Sequence, residues 1–565
     1  MKKANDSTVV DVYYQWLNHI DDPKLLEELD GIKDNQNEIY ERFYKCLEFG
    51  TAGLRGILGA GTNRMNIYTV AKATQGYANC ITKLYKNSSV AIAYDSRIFS
   101  DLFAKTTARV FAANNIKVYL FSELMPTPIL SYAVRTLKCQ AGIVITASHN
   151  PSQYNGYKAY NSEGCQIDEA TAEKVLEEIC KLDTFSDIKY ADFDEAIATG
   201  KIEYINSSLA EKFVEETYNF VQDKNICKKT PLKVVYTPLN GAGYKWVTSI
   251  LNKINVSDLH IVESQKNPDG NFPTCTYPNP EMKEALAEGL KLSQNVGADI
   301  LLASDPDSDR LGAAVLHNGA YQILTGNQVG ILMADYICRT KSANNTMPKN
   351  PVMIKSAVSS NMLEKIAEDY NVEVKTVLTG FKNVGNYMEK LSAQNRLDDF
   401  IFAYEESCGY LSTTLVRDKD SICACAICAE MAAFHKSQGK TLVDALEFLY
   451  QKYGYYISKS QSFEFVGASG ENIMKNIMEN LRNNPPKKFD DFDVISTKDF
   501  LLENELKTNM IKVFLSDNVQ FIVRPSGTEP KIKFYYYIIG KNETERDEIL
   551  SKIVSAVENF VKTYK

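Results

Sequence analysis

The sequence predicts an α/β protein built from three similar mixed α/β units and a C-terminal α+β domain. Two observations carry this reading. Short β-branched runs alternate with amphipathic stretches in a βαβα rhythm, the mark of parallel α/β layers. Three apolar runs also end in polar clusters in the same way. Ala141–Thr146 leads into Ala147-Ser148-His149-Asn150-Pro151, Ala298–Ser304 into Asp305-Pro306-Asp307, and Asp399–Tyr404 into Glu405-Glu406-Ser407. A buried strand that delivers polar residues at its C-terminal end is where open α/β sheets bind ligands. A chain of 565 residues is too long for one hydrophobic core, and its length suggests roughly three to five domains.

Taken in order, Val90–Asp95 reads as a strand, Leu102–Ala113 as a helix, Ile116–Phe121 as a strand, Pro128–Leu137 as a helix and Gly142–Thr146 as a strand. The rhythm resumes with strands at Leu232–Tyr236, His260–Glu263 and Ile300–Leu302, then at Val352–Ala357, Val372–Leu378 and Phe400–Tyr404. Helices are expected at Pro280–Gln294 and Gly326–Cys338. Toward the end the pattern changes to closely spaced strands at Met510–Leu515, Val519–Val523 and Lys531–Ile539, with a closing helix Glu543–Tyr564 and a loop at Asn483–Asp493. The expected domains are 1–205, 206–318, 319–450 and 451–565.

Composition narrows the function. The chain is 44% hydrophobic and 24% charged, with a net charge of −8, as in ordinary soluble proteins. It shows no basic stripe, so nucleic acid is not an expected partner. The N-terminus turns polar at once and is not read as a signal peptide. No run of 18 apolar residues occurs, so no membrane span is expected, and Ile422–Phe434 reads as a buried helix. The cysteines, including the cluster Cys423, Cys425 and Cys428, read as small buried residues in a reducing cytoplasm. Five scattered histidines argue against zinc. Either a monomer or a dimer is compatible with the sequence.

Four loops carry chemistry. Ser148 sits at a strand end before an Asn-Pro turn signal, with a plain capped turn as the alternative. It is no hydrolase elbow, because Thr146 and Asn150 stand where glycines are needed. Asp305, Asp307 and Asp309 alternate. In extended chain they would share one side, and three aligned carboxylates repel unless a hard cation such as Mg²⁺ sits among them. An EF-hand is excluded by Arg310 and Leu316 at the positions that need Gly and Glu. A solvated acidic turn is the plain alternative. Glu405 and Ser407 can hydrogen-bond sugar hydroxyls, although helix capping fits them as well. In Arg524-Pro525-Ser526-Gly527-Thr528-Glu529 a guanidinium that matches phosphate bidentately joins a turn able to form an anion nest, with a plain inter-strand turn as the alternative. Two decoys fail. Gly439-Lys440-Thr441 has Phe434 where a P-loop needs Gly, and Gly241-Ala242-Gly243 has Trp246 where a dinucleotide fingerprint needs Gly.

Together, Thr-Ala-Ser-His-Asn-Pro, Asp-Pro-Asp-Ser-Asp-Arg, Glu-Glu-Ser and Arg-Pro-Ser-Gly-Thr-Glu-Pro occur in the order found in α-D-phosphohexomutases. The chain resembles that superfamily over essentially its full length. The segment Phe49-Gly50-Thr51-Ala52-Gly53-Leu54-Arg55-Gly56 is similar to the phosphoglucomutase-2 type branch, which holds phosphoglucomutases and phosphopentomutases. The resemblance implies four domains around one cleft, each giving one loop. It implies that Ser148 is phosphorylated and that Asp305, Asp307 and Asp309, with a phosphoserine oxygen at Ser148, hold Mg²⁺. Glu405 and Ser407 would grip the sugar. Arg524, Ser526, Gly527 and Thr528 would bind the non-reacting phosphate. Arg55 and Lys158 match basic residues around the phosphoserine, Thr379, Gly380 and Lys382 a further substrate loop, and Arg417 and Lys419 added positive charge. Lys158 and His149 are candidate proton shuttles. Tyr410 departs from the His of several bacterial members, so their sugar contacts do not transfer as they stand.

The implied reaction interconverts glucose 1-phosphate and glucose 6-phosphate through phosphoserine and glucose 1,6-bisphosphate, which also acts as activator. Phosphopentomutase and phosphomannomutase are the alternatives. A non-catalytic scaffold would have lost Ser148 or one of the aspartates, and all four are present.

Overall fold

The computed structural model describes residues 6–50, 53–465, 467–504, 506–525 and 531–564. Four sheets organise it. The first contains β1 (Leu54–Ile57), β2 (Ser89–Tyr94), β3 (Lys117–Phe121), β4 (Ala141–Ile145), β5 (Tyr154–Asn161) and β6 (Ile202–Ile205), in the order β1-β5-β4-β2-β3-β6. Strands β2, β3, β4 and β6 run parallel, and β5 is antiparallel to both β4 and β1. All five residues of β4 are buried, as a strand covered by helices on both faces requires.

The second sheet holds β7 (Lys233–Thr237), β8 (Asp258–Ile261), β9 (Ile300–Ser304), β10 (Leu311–His317) and β11 (Ala320–Leu324), ordered β11-β10-β9-β7-β8. The third holds β12 (Val352–Ser356), β13 (Glu373–Val377), β14 (Phe400–Glu405) and β15 (Gly409–Leu411), ordered β13-β12-β14-β15. Both repeat the plan of the first: a parallel core, then a turn from its last parallel strand into an antiparallel neighbour. The fourth sheet is wholly antiparallel. It comprises β16 (Tyr455–Glu464), β17 (Lys488–Phe489), β18 (Phe492–Asp499), β19 (Ile511–Leu515), β20 (Gln520–Pro525) and β21 (Lys531–Gly540), ordered β16-β21-β20-β19-β18-β17. Helix Glu543–Lys562 packs on it. The predicted fold class is the one observed.

Several expectations need correction. Pro280–Gln294 is not one helix: turns run to residue 286, and the helix is Ala287–Val296. The expected loop Asn483–Asp493 contains β17 and the start of β18. The expected boundary at 318/319 cuts the second sheet, because β11 pairs with β10. That at 450/451 cuts helix Leu442–Tyr453. The periodicity before Val90 also conceals helices Asp6–His19, Pro23–Gly31 and Gln36–Phe43. They bury Tyr13, Trp16, Ile20 and Phe43 against Tyr68 and Phe185. From this cap Arg42 donates to the Ala60 carbonyl at 3.1 Å and Glu28 accepts from the Ala60 amide at 2.9 Å, which holds the chain just after β1.

Helix Ser421–Lys436 is buried as expected and packs against helix Tyr244–Lys253, β9 and β15, tying the second unit to the third. Its Cys423, Cys425 and Cys428 are buried free thiols. No helix among the described residues is long and apolar enough to cross a membrane.

Candidate active site

Three candidate loops are turns between a sheet's inner strand and its antiparallel partner, and the fourth follows the inner strand β20. Residues 146–153 join β4 to β5, 305–310 join β9 to β10, 406–408 join β14 to β15, and Arg524 and Pro525 end β20 before β21. A hairpin turn keeps both flanking residues in the ladder and so fixes the loop more firmly than a long connection.

In the first turn Ser148 is buried and left-handed, φ 52°. Its amide donates to Thr146 Oγ1 at 2.7 Å, and Thr146 in turn donates to Asp95 Oδ2 at 2.5 Å. Arg97, buried beside Asp95, donates to the carbonyls of Ser148 (2.6 Å), Asn150, Pro151 (2.9 Å) and Tyr154 (2.9 Å). The strained turn is thus held by four carbonyl contacts to one guanidinium. Sequence reading missed Asp95 and Arg97, although they follow the end of β2 and therefore sit where strand-end polar residues are expected.

The second turn meets the first. Ser148 Oγ donates to Asp305 Oδ2 at 2.8 Å and lies 3.3 Å from His149 Nδ1. Asp305, Asp307 and Asp309 are buried and each offers an oxygen within 4.8 Å of the others, an arrangement that could hold a metal ion. Their convergence does not come from strand alternation. The segment is a turn, with Ser308 at φ 54° and its amide on the Asp305 carbonyl at 2.8 Å. Asp305 Oδ1 accepts from the amides of Asp309 and Arg310, both at 3.0 Å. Gly241, in one of the decoy motifs, lets the chain pass over this turn, since a Cβ there would lie 2.3 Å from Pro306 Cα.

The donor set fits a hard cation. Among the described residues Asp307 Oδ1 and Asp309 Oδ1 are buried without a hydrogen-bond partner, and buried carboxylate oxygens are rarely left so. The other oxygens are taken by cations: Lys158 Nζ lies 2.6 Å from Asp307 Oδ2 and 3.1 Å from Asp309 Oδ2, and Lys419 Nζ lies 3.1 Å from that same oxygen. Burial, then the charges of Asp307 and Asp309, push the Asp305 carboxyl well up. Burial also opposes ionisation of Asp309, but Lys158, Lys419 and Arg310 outweigh it and hold that carboxyl well below the usual range. Burial works against the charge of Lys158, yet Asp307 and Asp309 outweigh it and raise its ammonium, so Lys158 stands here as a cation. His149 is driven well down by burial and by Arg310 and Arg55, which leaves its ring neutral.

Arg55, exposed on β1, donates to Asn150 Oδ1 at 2.9 Å and so faces the Ser148 turn. In the third turn Glu405 Oε1 accepts from the Gly380 amide at 2.5 Å, which brings 379–382 against 405–407. Burial, then Glu406, raises the Glu405 carboxyl to about 7. Thr379, Lys382 and Ser407 are half-buried, and the charges that bear on Lys382 are those of Glu169 and Asp168 in the first domain. Tyr410 is turned away into the core, its hydroxyl on the Gly326 carbonyl at 3.1 Å. Arg417, expected to add positive charge, is buried and pairs with Glu389. Arg524 is half-buried and pairs in register with Lys533, and its charge reaches Glu406. Ser526, Gly527 and Thr528 lie outside the described residues.

Comparison with known proteins agrees with this architecture. Family models described as phosphoglucomutase/phosphomannomutase alpha/beta/alpha domains I, II and III match residues 47–185, 211–319 and 325–453. The chain is 33% identical over 534 residues to the phosphoglucomutase of Staphylococcus haemolyticus, covering 92% of this chain and 95% of that protein. It is 35% identical over 573 residues to the phosphoglucomutase of Staphylococcus aureus, covering 98% and 97%. The open form of parafusin, a phosphoglucomutase from Paramecium, shares the fold, with a TM-score of 0.69 at 18% identity over 92% of this chain and 95% of that one. Three matched domains and full-length relatives above 30% identity make the chain a member of the phosphoglucomutase/phosphomannomutase family, within the α-D-phosphohexomutase superfamily.

Proposed function

We propose that this protein is a phosphoglucomutase that interconverts glucose 1-phosphate and glucose 6-phosphate through phosphoserine 148 and a sugar bisphosphate. The observation that carries the reading is the Ser148 hydroxyl set 2.8 Å from Asp305 in a buried three-carboxylate cluster. The full-length relatives named phosphoglucomutase favour glucose over the pentose and mannose alternatives. We infer that Asp305, Asp307, Asp309 and an oxygen on Ser148 hold Mg²⁺, which when bound neutralises charge on the phosphoryl group.

The chain's own residues supply the rest. Thr146 and Arg97 hold the Ser148 turn in its strained form, so that Oγ faces the second domain. Lys158, Lys419 and Arg310 keep Asp309 ionised and leave its Oδ1 without a hydrogen bond. Arg55 stands beside Asn150 at the solvent side of the turn, placed to meet a phosphoryl oxygen. Glu405 and Ser407 face the sugar hydroxyls, with Gly380, Thr379 and Lys382 beside them. Arg524, with Ser526, Gly527 and Thr528, receives the phosphate that is not reacting. The protonated Lys158 and the low-pKa His149 are poor bases as they stand, whereas Glu405, with its carboxyl near 7, can hold or release a proton at neutral pH.

The twelve free cysteines support a reducing, cytoplasmic setting. A coupled assay with glucose, mannose, ribose and deoxyribose 1-phosphates, each with a trace of its bisphosphate, tests the proposal. The glucose substrate is expected to give the highest kcat/KM. Preference for a pentose phosphate would replace this reading with the phosphopentomutase one.

A further inference from the structure

The mutase reading uses Lys419 to keep Asp309 ionised in the carboxylate cluster, and the inference here rests on that reading. We propose that Asp418 is the positioning residue for Lys419, anchoring its ammonium over Asp309 by tying it to Tyr160 and Gln166 of the first domain.

Lysine is a poor candidate for a fixed charge, since its ammonium rides on a flexible four-carbon stem. Here the stem is confined. It crosses Gly409, where a Cβ would lie 2.2 Å from Lys419 Cδ, so that only glycine leaves the slot open. Its ammonium lies 3.1 Å from Asp309 Oδ2 and 5.5 Å from the centre of the Phe381 ring. The other contact is Asp418. Its Oδ1 accepts from the Lys419 amide at 2.8 Å and from Lys419 Nζ at 3.2 Å. Its Oδ2 accepts from the Tyr160 hydroxyl at 2.8 Å and from Gln166 Nε2 at 2.9 Å. Asp418 is 1% exposed, so these four bonds replace its hydration, and both oxygens are fixed from two directions.

The anchor has a geometric logic. Tyr160 lies two residues after Lys158 on β5, and residues two apart on a strand face the same side. Lys158 reaches Asp309 Oδ2 directly at 3.1 Å, and Tyr160 reaches it through Asp418 and Lys419. One strand of the first domain therefore sets both cations on one oxygen of the second domain's carboxylate cluster. The simpler role for Asp418, neutralising a nearby lysine, needs neither Tyr160 nor Gln166 on its far oxygen.

Crystal structures of Asp418→Asn and Tyr160→Phe test the placement without reference to turnover. Lys419 Nζ is expected to leave hydrogen-bond distance of Asp309 in Asp418→Asn and to spread over more than one position in Tyr160→Phe. A Lys419 that keeps its place in both overturns the proposal. Kinetics test the consequence. Asp418→Asn should lower kcat/KM for glucose 1-phosphate by about 10- to 100-fold, and Tyr160→Phe, which removes one hydroxyl and keeps the ring, by a smaller factor. Both losses should vanish on a Lys419→Met background, because the three residues act as one unit. Losses that multiply undiminished on that background also overturn it. Failure of the parent reading looks different: wild-type protein would turn over no sugar 1-phosphate, while the crystallographic result would still decide where Asp418 puts Lys419.

Discussion

Ser148 Oγ donates to Asp305 Oδ2 at 2.8 Å from a residue whose φ is 52°, so the hydroxyl of one domain is held in a strained turn against the carboxylate of the next. A left-handed non-glycine residue costs about 1–3 kcal/mol. The Thr146 and Arg97 bonds offset that cost. Ser148→Ala should cut turnover by about 10⁴-fold or more, since no neighbouring hydroxyl replaces a covalent carrier. Ser148→Gly should be just as inactive yet more stable than Ser148→Ala by about 1 kcal/mol, because glycine adopts positive φ without penalty. Steady-state assays and urea melts of the two variants check both statements, and phosphopeptide mass spectrometry of wild type should find phosphate on Ser148.

The unpartnered oxygens of Asp307 and Asp309 lead to a metal prediction. Exhaustive chelation should abolish turnover, and Mg²⁺ should restore it. Asp307→Asn removes one anionic ligand and should weaken Mg²⁺ binding, read by calorimetry, by about 10-fold or more. Full activity in excess chelator would assign the three carboxylates another purpose.

Thr146 is a positioning residue by geometry: its hydroxyl accepts from the Ser148 amide and donates to Asp95. Thr146→Val keeps the shape and leaves both groups short of a partner. The expected cost is about 1–3 kcal/mol in stability, with kcat falling more than KM rises. Denaturant melts and Michaelis constants measure the two parts. An unchanged kcat would show that the turn holds Ser148 without this hydroxyl.

Much of this site was legible in the sequence because each loop follows a strongly apolar strand, so that Ala141–Ile145, Ile300–Ser304 and Phe400–Glu405 could be placed to within a residue or two. The three aspartates were found for a partly mistaken reason. Their alternation suggested extended chain, while the actual convergence comes from a tight turn with Ser308 left-handed, a conformation that no spacing rule reveals. Asp95, Arg97, Asp418 and Tyr160 escaped notice because their roles depend on which strands lie side by side. Arg97 reaches the Ser148 turn only because β2 neighbours β4. Of the three missed N-terminal helices, the first carries a readable signal in Val9, Tyr13 and Trp16 at helical spacing, whereas the other two are short and fully bury only Leu29 and Ile39 with Phe43.

Glu430 provides a pH test away from the chemistry. Its carboxylate, buried in helix Ser421–Lys436, accepts from the amides of Gln222 (3.1 Å) and Asp223 and from the Tyr336 hydroxyl at 2.9 Å. Those bonds favour the ionised form, but burial wins and raises the group to about 7 from an ordinary 4.5. A raised pKa means that the folded state keeps a proton that the unfolded state has lost. The contribution is therefore complete below 4.5 and is lost as pH rises from there through 7. The slope approaches about 1.4 kcal/mol per pH unit between those limits. Glu430→Gln cannot titrate, so wild type should lose stability relative to the variant across this window and run parallel to it above pH 8. Urea melts at half-unit intervals read the difference, and parallel curves throughout would place the Glu430 pKa near its ordinary value.

Arg524 tests whether one phosphate site serves both ends of the sugar. It stands at the end of β20 in the C-terminal domain, and its charge bears on Glu406, the chain neighbour of Glu405. If the bisphosphate turns over between half-reactions, each phosphate in turn occupies this place while the other reacts at Ser148. A charge-assisted bidentate contact in a closed cleft contributes a few kcal/mol. Arg524→Ala should therefore raise KM for glucose 1-phosphate and glucose 6-phosphate by similar factors, on the order of 10- to 100-fold. Phosphorylation of Ser148 in the resting enzyme should stay largely intact, because that residue belongs to the first domain and its turn is held by Thr146 and Arg97. The variant should also need more added bisphosphate to sustain turnover, since a weaker grip lets the intermediate escape before it reorients. The measurement is KM in both directions at saturating bisphosphate. A large rise for one substrate with none for the other would mean that Arg524 reads a single end of the sugar, and the two phosphates would then need separate sites.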